Sequence, residues 1–429
     1  MKKMKNKIEI SNVGPIKHVS ITLNTINVFM GSQSSGKSTI SKIISFCTWV
    51  EKNVATNQSL DNYYTDRTFF IDRLETFHKM KGFFNNKSKI KYESNAIKLE
   101  YSSKDFKINW VDQYAYKRSK ISYIPSERSM VILPEIEKVE FPPNYLKSFL
   151  FDWFDARKQY SKEKSLTLLN LGFDYYYSEN AKENHIKSIE KNNRHDILLS
   201  NASSGLQSAT PMIAMVDYLT NYIYDENQNS SYVMDEIKMK VGIDLLNNLI
   251  LKPYFNQIYK NDEEKKTQIE EINKKLLEKD VTVTNLFNHF ISVRQNLFST
   301  HSSNLIIEEP EQNLFPETQK SLIYYLLNKC SDENHQHQMT LTTHSPYVLY
   351  AINNCMMAHV VKDKINDNDN AKLKCITSSI DPKEISIYQI ENGELNSIQE
   401  KNGLIGKNYF DDKMKELMDD FYVMLNYYE

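Results

Sequence analysis

Ile26–Thr39 reads INVFMGSQSSGKST: an apolar run that ends in G-x-x-x-x-G-K-[ST]. The stretch TISKIISFCTWV (Thr39–Val50) continues it with apolar residues at helical spacing. Strand, glycine-rich loop and helix in that order are the context a phosphate-binding loop needs. The chain has only 10 glycines in 429 residues, and two of them fall at the two positions this motif requires. Gly31 and Gly36 permit backbone angles and close approaches that a Cβ would block. Ser32, Gln33, Ser34 and Ser35 then present loop amides to an anion at the helix N-terminus. Lys37 is expected to reach the β- and γ-phosphates, Ser38 to ligate Mg²⁺, and Thr39 completes the cofactor-binding stretch; the cofactors expected are ATP and Mg²⁺.

A second stretch, LIIEEP (Leu305–Pro310), is an apolar strand pattern that closes in two acids. In-line displacement at a γ-phosphate needs an oriented water and charge stabilisation and little else. Glu308 is therefore expected in the Mg²⁺ shell and Glu309 as the base that polarises the attacking water. Paired glutamates on a surface loop are common; behind an apolar strand, in a chain with a phosphate loop, they point to catalysis. The third stretch, TTHS (342–345), follows the apolar MTL and places His344 at the end of the next strand. A fourth, SNASSGLQS (200–208), offers Ser204, Gly205 and Gln207 at a helix start, a second anion site. Such a site has no ligand in a lone chain; it acquires one when it faces the phosphate loop of a second copy.

The remainder of the chain sets bounds. Charge is almost balanced, with 53 basic and 55 acidic residues, so bulk electrostatics does not argue for nucleic acid. Four cysteines (Cys47, Cys330, Cys355, Cys375) lack metal-ligand spacing and fit a reducing, cytoplasmic setting. The N-terminus lacks an apolar secretory core, and no apolar run nears the roughly 18 residues of a membrane span, so no membrane partner is expected. Lys, Asn, Ile and Tyr enrichment reads as coding bias.

Strands are expected within 6–30, at 121–124, 304–307 and 339–343, and helices at 40–55, 145–165 and 210–225. Residues 226–295 are highly polar, and Ile269, Ile272, Leu276 and Leu277 form one apolar stripe among charges, as on a solvated helix. The expected organisation is residues 1–225 as the first part of an ATPase head, with an insertion at about 56–120. A helical insertion or arm occupies 226–295, and 296–429 form the rest of the head, with GLIGKNYFDDKMKELMDDFYVML as a capping helix.

Taken together, IEISNVGPIKHVSITLNTINVFMGSQSSGKST, EEPEQNLFP (308–316) and THSPYVL (344–350) resemble soluble ABC-type ATPases. The pattern is similar to the overcoming-lysogenization-defect (OLD-like), AAA-15 and AAA-21 group, whose heads are shared with structural-maintenance and recombination ATPases. The resemblance covers about residues 6–55, 121–128, 198–220 and 300–350. It implies an α/β fold: an ABC-type P-loop NTPase head with a mixed β-sheet and helices, plus an inserted helical subdomain. It implies ATP hydrolysis with Glu309 as base, His344 as switch histidine, Lys37 on phosphate, and Ser38 and Glu308 on the metal. Ser204, Gly205 and Gln207 would touch the partner's ATP, in a homodimer or a higher oligomer. IPSERS (124–129) resembles the segment at the Q-loop position, with Glu127 and Arg128 both open as its working residue. Leu206 stands where the signature has a second glycine. About 100 residues separate signature and acidic strand, which argues against a transporter subunit. The TOPRIM nuclease pattern of OLD enzymes is not seen after His344, so the implied function is a switch gating a separate effector, a nuclease or toxin of antiphage defence. Alternatives are a DNA-binding repair ATPase, and an ATP-sensing scaffold with little turnover.

Overall fold

The computed structural model describes residues 5–60, 66–190, 195–224, 232–257, 259–331 and 334–428. Its frame is an 11-stranded mixed sheet. Five strands form a parallel core: β3 (Ile26–Gly31), β7 (Ser119–Ile124), β12 (Ser302–Glu308), β13 (Gln338–Thr343) and β14 (Ile385–Glu391), in the order β14-β3-β13-β12-β7. Every residue of β3 is buried, which is why its sequence is apolar throughout rather than alternating. On the far side of β14 lies an antiparallel wing, β1 (Lys7–Val13), β2 (Ile16–Thr22), β4 (Phe84–Glu93), β5 (Ile97–Ser102) and β6 (Phe106–Trp110). It is joined through β15 (Glu394–Ser397), which pairs with β14 and meets β2 at one residue pair, Glu394 and His18.

Ile26, Val28 and Met30 of β3 face one core cluster and Phe29 faces another. On the Phe29 side, α1 (Lys37–Asn57) lays Ile40, Ile43, Ile44 and Val50 onto the sheet, and α2 (Arg67–His78) packs beside it. On the other side sit α3 (Tyr145–Arg157), α4 (Ser204–Asn221), α8 (Pro316–Cys330) and α9 (Pro346–Val361). A second, four-stranded sheet precedes α4, made of β8 (Leu166–Thr167), β9 (Phe173–Ser178), β10 (Glu183–Ser188) and β11 (Asp196–Leu198). The expected 145–165 helix therefore stops at Arg157, and the chain turns into this small sheet.

The polar segment is helical: α5 (Tyr232–Leu246), α6 (Asp262–Leu277) and α7 (Val281–Phe298). Ile250, Leu251, Ile272 and Val283 make a small core of its own, and Val241, Leu245, Val293 and Leu297 join the α1 side. Of the apolar stripe on α6, Ile272 is buried while Leu277 is 85% exposed. The last helix, α10 (Tyr409–Leu425), departs from its expected role. None of its residues is buried, so it caps nothing; only Tyr409 and Phe410 lean on the core, and Leu417, Phe421 and Met424 stand in solvent. The four cysteines are buried and free. Among the described residues, no helix is long and apolar enough to cross a membrane.

Candidate functional site at the phosphate loop

The loop between β3 and α1 owes its shape to its two glycines. Gly36 has φ 110°, and a Cβ there would lie 2.3 Å from Ile16 Cδ1. At Gly31 a Cβ would meet the Ile390 carbonyl oxygen at 2.6 Å, so the close approach of β14 is what demands this glycine. Ser32, Gln33 and Ser34 are exposed at the loop crest, and Ser34 takes φ 62°. Lys37 is buried and folds back over the loop, donating from Nζ to the carbonyls of Gly31 (2.9 Å) and Ser32 (2.8 Å). Burial pulls its ammonium down to about 8, against the attraction of Glu309 and Glu311. An arriving phosphate would replace carbonyl dipoles with full negative charge.

The ends of β12 and β13 bring the remaining chemistry to the same edge. Glu308 is buried, and its Oε1 has no hydrogen-bond partner among the described residues. Ser38 stands half-buried in the first turn of α1. An orphaned buried carboxylate oxygen is what a hard cation satisfies, so Glu308 with Ser38 fits Mg²⁺. Among the described residues, no cluster of three His, Cys, Asp or Glu would hold a metal by itself. Glu309 leaves the strand with φ 44°, donates its N–H to the Thr342 carbonyl (3.0 Å), and sets Oε1 3.4 Å from His344 Nε2. Burial and the nearby Lys37 lower His344 from its ordinary value, so at neutral pH the imidazole is uncharged. With its proton on Nε2 it would donate to the Glu309 carboxylate rather than form an ion pair.

Two residues matter here to which the sequence reading gave no settled role. Glu311, the third Glu of EEPE, accepts at Oε1 from Thr343 Oγ1 (2.8 Å) and from the His344 N–H (2.6 Å). It thereby ties the loop after β12 to the turn carrying His344, and burial raises its carboxyl. The second is Arg128. Fully buried, it donates to four carbonyls: Pro125 (3.3 Å), Ser208 (3.1 Å), Glu308 (2.8 Å) and Glu309 (2.8 Å). Glu127 instead accepts from the Tyr145 hydroxyl at 3.1 Å, so Arg128 is the one that holds the acidic strand. Burial draws Arg128 down to about 10, still charged at neutral pH. The signal in the sequence was an arginine inside IPSERS, directly after Glu127.

The start of α4 carries the signature residues. Ser203 and Ser204 are exposed, and no side chain caps the helix N-terminus. A Cβ on Gly205 would come within 2.8 Å of the Asn313 carbonyl oxygen, so glycine here lets α4 abut the loop after the glutamates. Leu206, in place of a second glycine, is buried in the core. Gln207 is committed within its own chain: Nε2 donates to the carbonyls of Ser200 (2.8 Å) and Ala202 (3.0 Å). The structure thus brings Lys37, Glu309 and His344 together, with Glu308 and Ser38 on the flanking elements. Ser204 and Gly205 lie on a separate, outward-facing helix end.

No model of a known protein family matches the chain, and no curated protein matches it. Solved structures do. An SMC head bound to the C-winged helix domain of ScpA is 11% identical, with TM-score 0.36, covering 91% of this chain and 96% of that one. The SMC head domain from Thermotoga maritima is 10% identical, with TM-score 0.36, covering 92% and 98%. The recombination mediator protein RecF is 10% identical, with TM-score 0.27, covering 92% and 99%. Scores this low assign no role to any residue of this chain.

Proposed function

We propose that this chain is an ABC-type ATPase head of the OLD-like kind that dimerises around ATP and, through closure and hydrolysis, gates a separate effector. The observation that carries the reading is the convergence of Lys37, Glu309 and His344 from three strand ends onto one edge, with Ser203 and Ser204 exposed at the uncapped start of α4. On this reading the exposed, uncapped start of α4 of a second copy forms the wall opposite the phosphate loop. Lys37 would exchange its two carbonyl acceptors for the β- and γ-phosphates. Glu308 and Ser38 would hold Mg²⁺, which supplies charge neutralisation on the phosphate oxygens. Glu309, its carbonyl fixed by Arg128, would accept a proton from the attacking water, and His344 would orient that carboxylate. Ser204 and Gly205 of the second copy would close the far side of the nucleotide. The effector and its setting in antiphage defence rest on the resemblance of the motifs.

The test is the molar mass in solution of the Glu309→Gln protein with and without ATP and Mg²⁺. The expected result is a mass that doubles with ATP and fails to double when Ser204→Arg is added. A mass that stays monomeric with ATP bound overturns the sandwich.

A further inference from the structure

None of the 17 residues of α10 is buried, yet its side chains are sorted as though one face had a partner. From Phe410 onward, apolar residues recur four and three apart: Met414, Leu417, Phe421 and Met424. That is a heptad seam, and Met418 and Leu425 widen it by one flanking row. The six residues between Met414 and Leu425 stand in water, from 42% exposed at Met418 to 67% at Leu417. At such exposures they leave on the order of 600 Å² uncovered, the upper end of what a monomer shows in one apolar patch. Helices in water draw most of their stability from burying such a face, and α10 buries none of it in its own chain. Its start is nonetheless fixed. Asn408 and Asp411 form a capping box, Tyr350 of α9 donates its hydroxyl to Asp411, and Tyr409 and Phe410 lean on the core. The helix is held at its first turn, and the turns beyond carry the stripe.

Charge along the helix selects the occupant. The seven charged side chains from Asp411 to Asp420 are two basic and five acidic, and 421–428 carry none. A lipid surface is a poor match, because helices that lie on membranes are rich in Lys and Arg on their polar face. Laid parallel, two copies would set one net-negative block beside the other. Laid antiparallel about a two-fold axis at Asp419, each charged block runs beside the uncharged end of the second copy. In that register Met414 meets Met424 of the second copy and Leu417 meets its Phe421, and each pairing occurs twice, as an isologous contact requires. Seam and charge are then self-complementary together. Covering both faces removes about 1,200 Å² from water, the lower bound of a stable, specific interface. One repulsion remains, because Asp420 flanks the seam and faces its own counterpart near the axis.

We propose that α10 is a self-association surface, through which two copies of this chain pair antiparallel along the Met414–Leu425 stripe without nucleotide. The pairing does not depend on ATP closing two heads, and it gives the chain a second face between copies.

Sedimentation equilibrium of the full chain without nucleotide tests it, over about 1–200 μM protein. A monomer–dimer equilibrium with Kd below about 100 μM is expected. Leu417→Glu combined with Phe421→Glu, both at exposed positions, should weaken it at least about tenfold. Asp420→Asn, which removes the like-charge contact, should tighten it about twofold. Ser204→Arg, placed to block the ATP sandwich, should leave it unchanged, so failure of one interface is told apart from failure of the other. Disulfide trapping reads the orientation: Met414→Cys protein should cross-link to Met424→Cys protein in preference to itself. Three outcomes overturn the proposal. They are a chain that stays monomeric throughout, which assigns the stripe to a different protein; association untouched by the paired glutamates; and Met414→Cys protein that cross-links best with itself, which makes the helices parallel.

Discussion

Arg128 and His78 are both fully buried and ionisable, and the fold treats them in opposite ways. Around Arg128, carbonyls from Pro125, Ser208, Glu308 and Glu309 converge, so a whole guanidinium is solvated by backbone. Around His78 there are aromatic faces, and among the described residues neither ring nitrogen has a hydrogen-bond partner. The consequences differ accordingly. Arg128 keeps its charge at neutral pH, whereas burial drives His78 down to about 3, well into the neutral form. A core that tolerates a charge has to be built from several segments at once, and at Arg128 those segments are the signature helix and the acidic strand. A core of aromatic faces tolerates the imidazole only in its neutral form.

The largest expected effect separates the two directly. Arg128→Met takes away the donor that four carbonyls share, and removing one partner of a buried charged network costs about 3–5 kcal/mol. Urea unfolding should show that loss. Arg128→Lys brings charge but cannot reach all four acceptors, since an ammonium lacks the planar fork. Its stability should fall less, while ATP turnover falls about a hundredfold with ATP affinity little changed, because the Glu309 carboxylate is misplaced rather than removed. Equal turnover in Arg128→Lys and wild type would reduce Arg128 to a structural strut.

A smaller effect belongs to His78 and appears as a pH slope. Unfolded, the imidazole takes a proton below its ordinary 6.5; folded, it stays neutral until about 3. Stability from this group is therefore complete above pH 6.5 and is lost as pH falls, at about 1.4 kcal/mol per unit. Between pH 7 and pH 5 wild type should lose about 2 kcal/mol that His78→Phe does not. Parallel unfolding curves for the two proteins over that range would mean His78 has a partner after all.

This contrast also explains what could be read ahead of the structure. The phosphate loop, the acidic pair and His344 were legible because each motif hangs on the end of an apolar strand, and strand plus motif is a local pattern. Nothing local marks β14 as the parallel neighbour of β3: ISIYQIE alternates like a half-exposed strand, and its place became clear only from Ile390 lying against Gly31. Arg128 was visible as a residue but not as a clamp, since its four acceptors come from positions up to 181 residues away. His78 was invisible, because the aromatic shell around it comes from four elements and belongs to no stretch of sequence. The capping role expected of α10 failed for the converse reason: its apolar spacing is real, yet none of its residues is buried.

Lys37 falls between the extremes and gives the smallest of these effects. It is buried like His78 but has two acceptors, Gly31 and Ser32 carbonyls, where Arg128 has four. Burial pulls it down to about 8 against the attraction of Glu309 and Glu311. A phosphate bound against Nζ stabilises the charged form, so the lysine in the complex titrates above its free value. The association constant for ATP should therefore be flat below pH 8 and fall as pH rises beyond it, up to about tenfold per unit, until the bound lysine itself loses its proton. Titration of the Glu309→Gln protein with ATP and Mg²⁺ between pH 6 and 9.5 measures this without interference from turnover, the decline beginning below pH 8 because this variant has lost one of the two attractions that raise Lys37. Lys37→Arg, charged throughout, should bind ATP with no such decline. A decline that persists in Lys37→Arg would move the titrating group elsewhere and would remove Lys37 from the intermediate place between a fully solvated buried cation and an abandoned one.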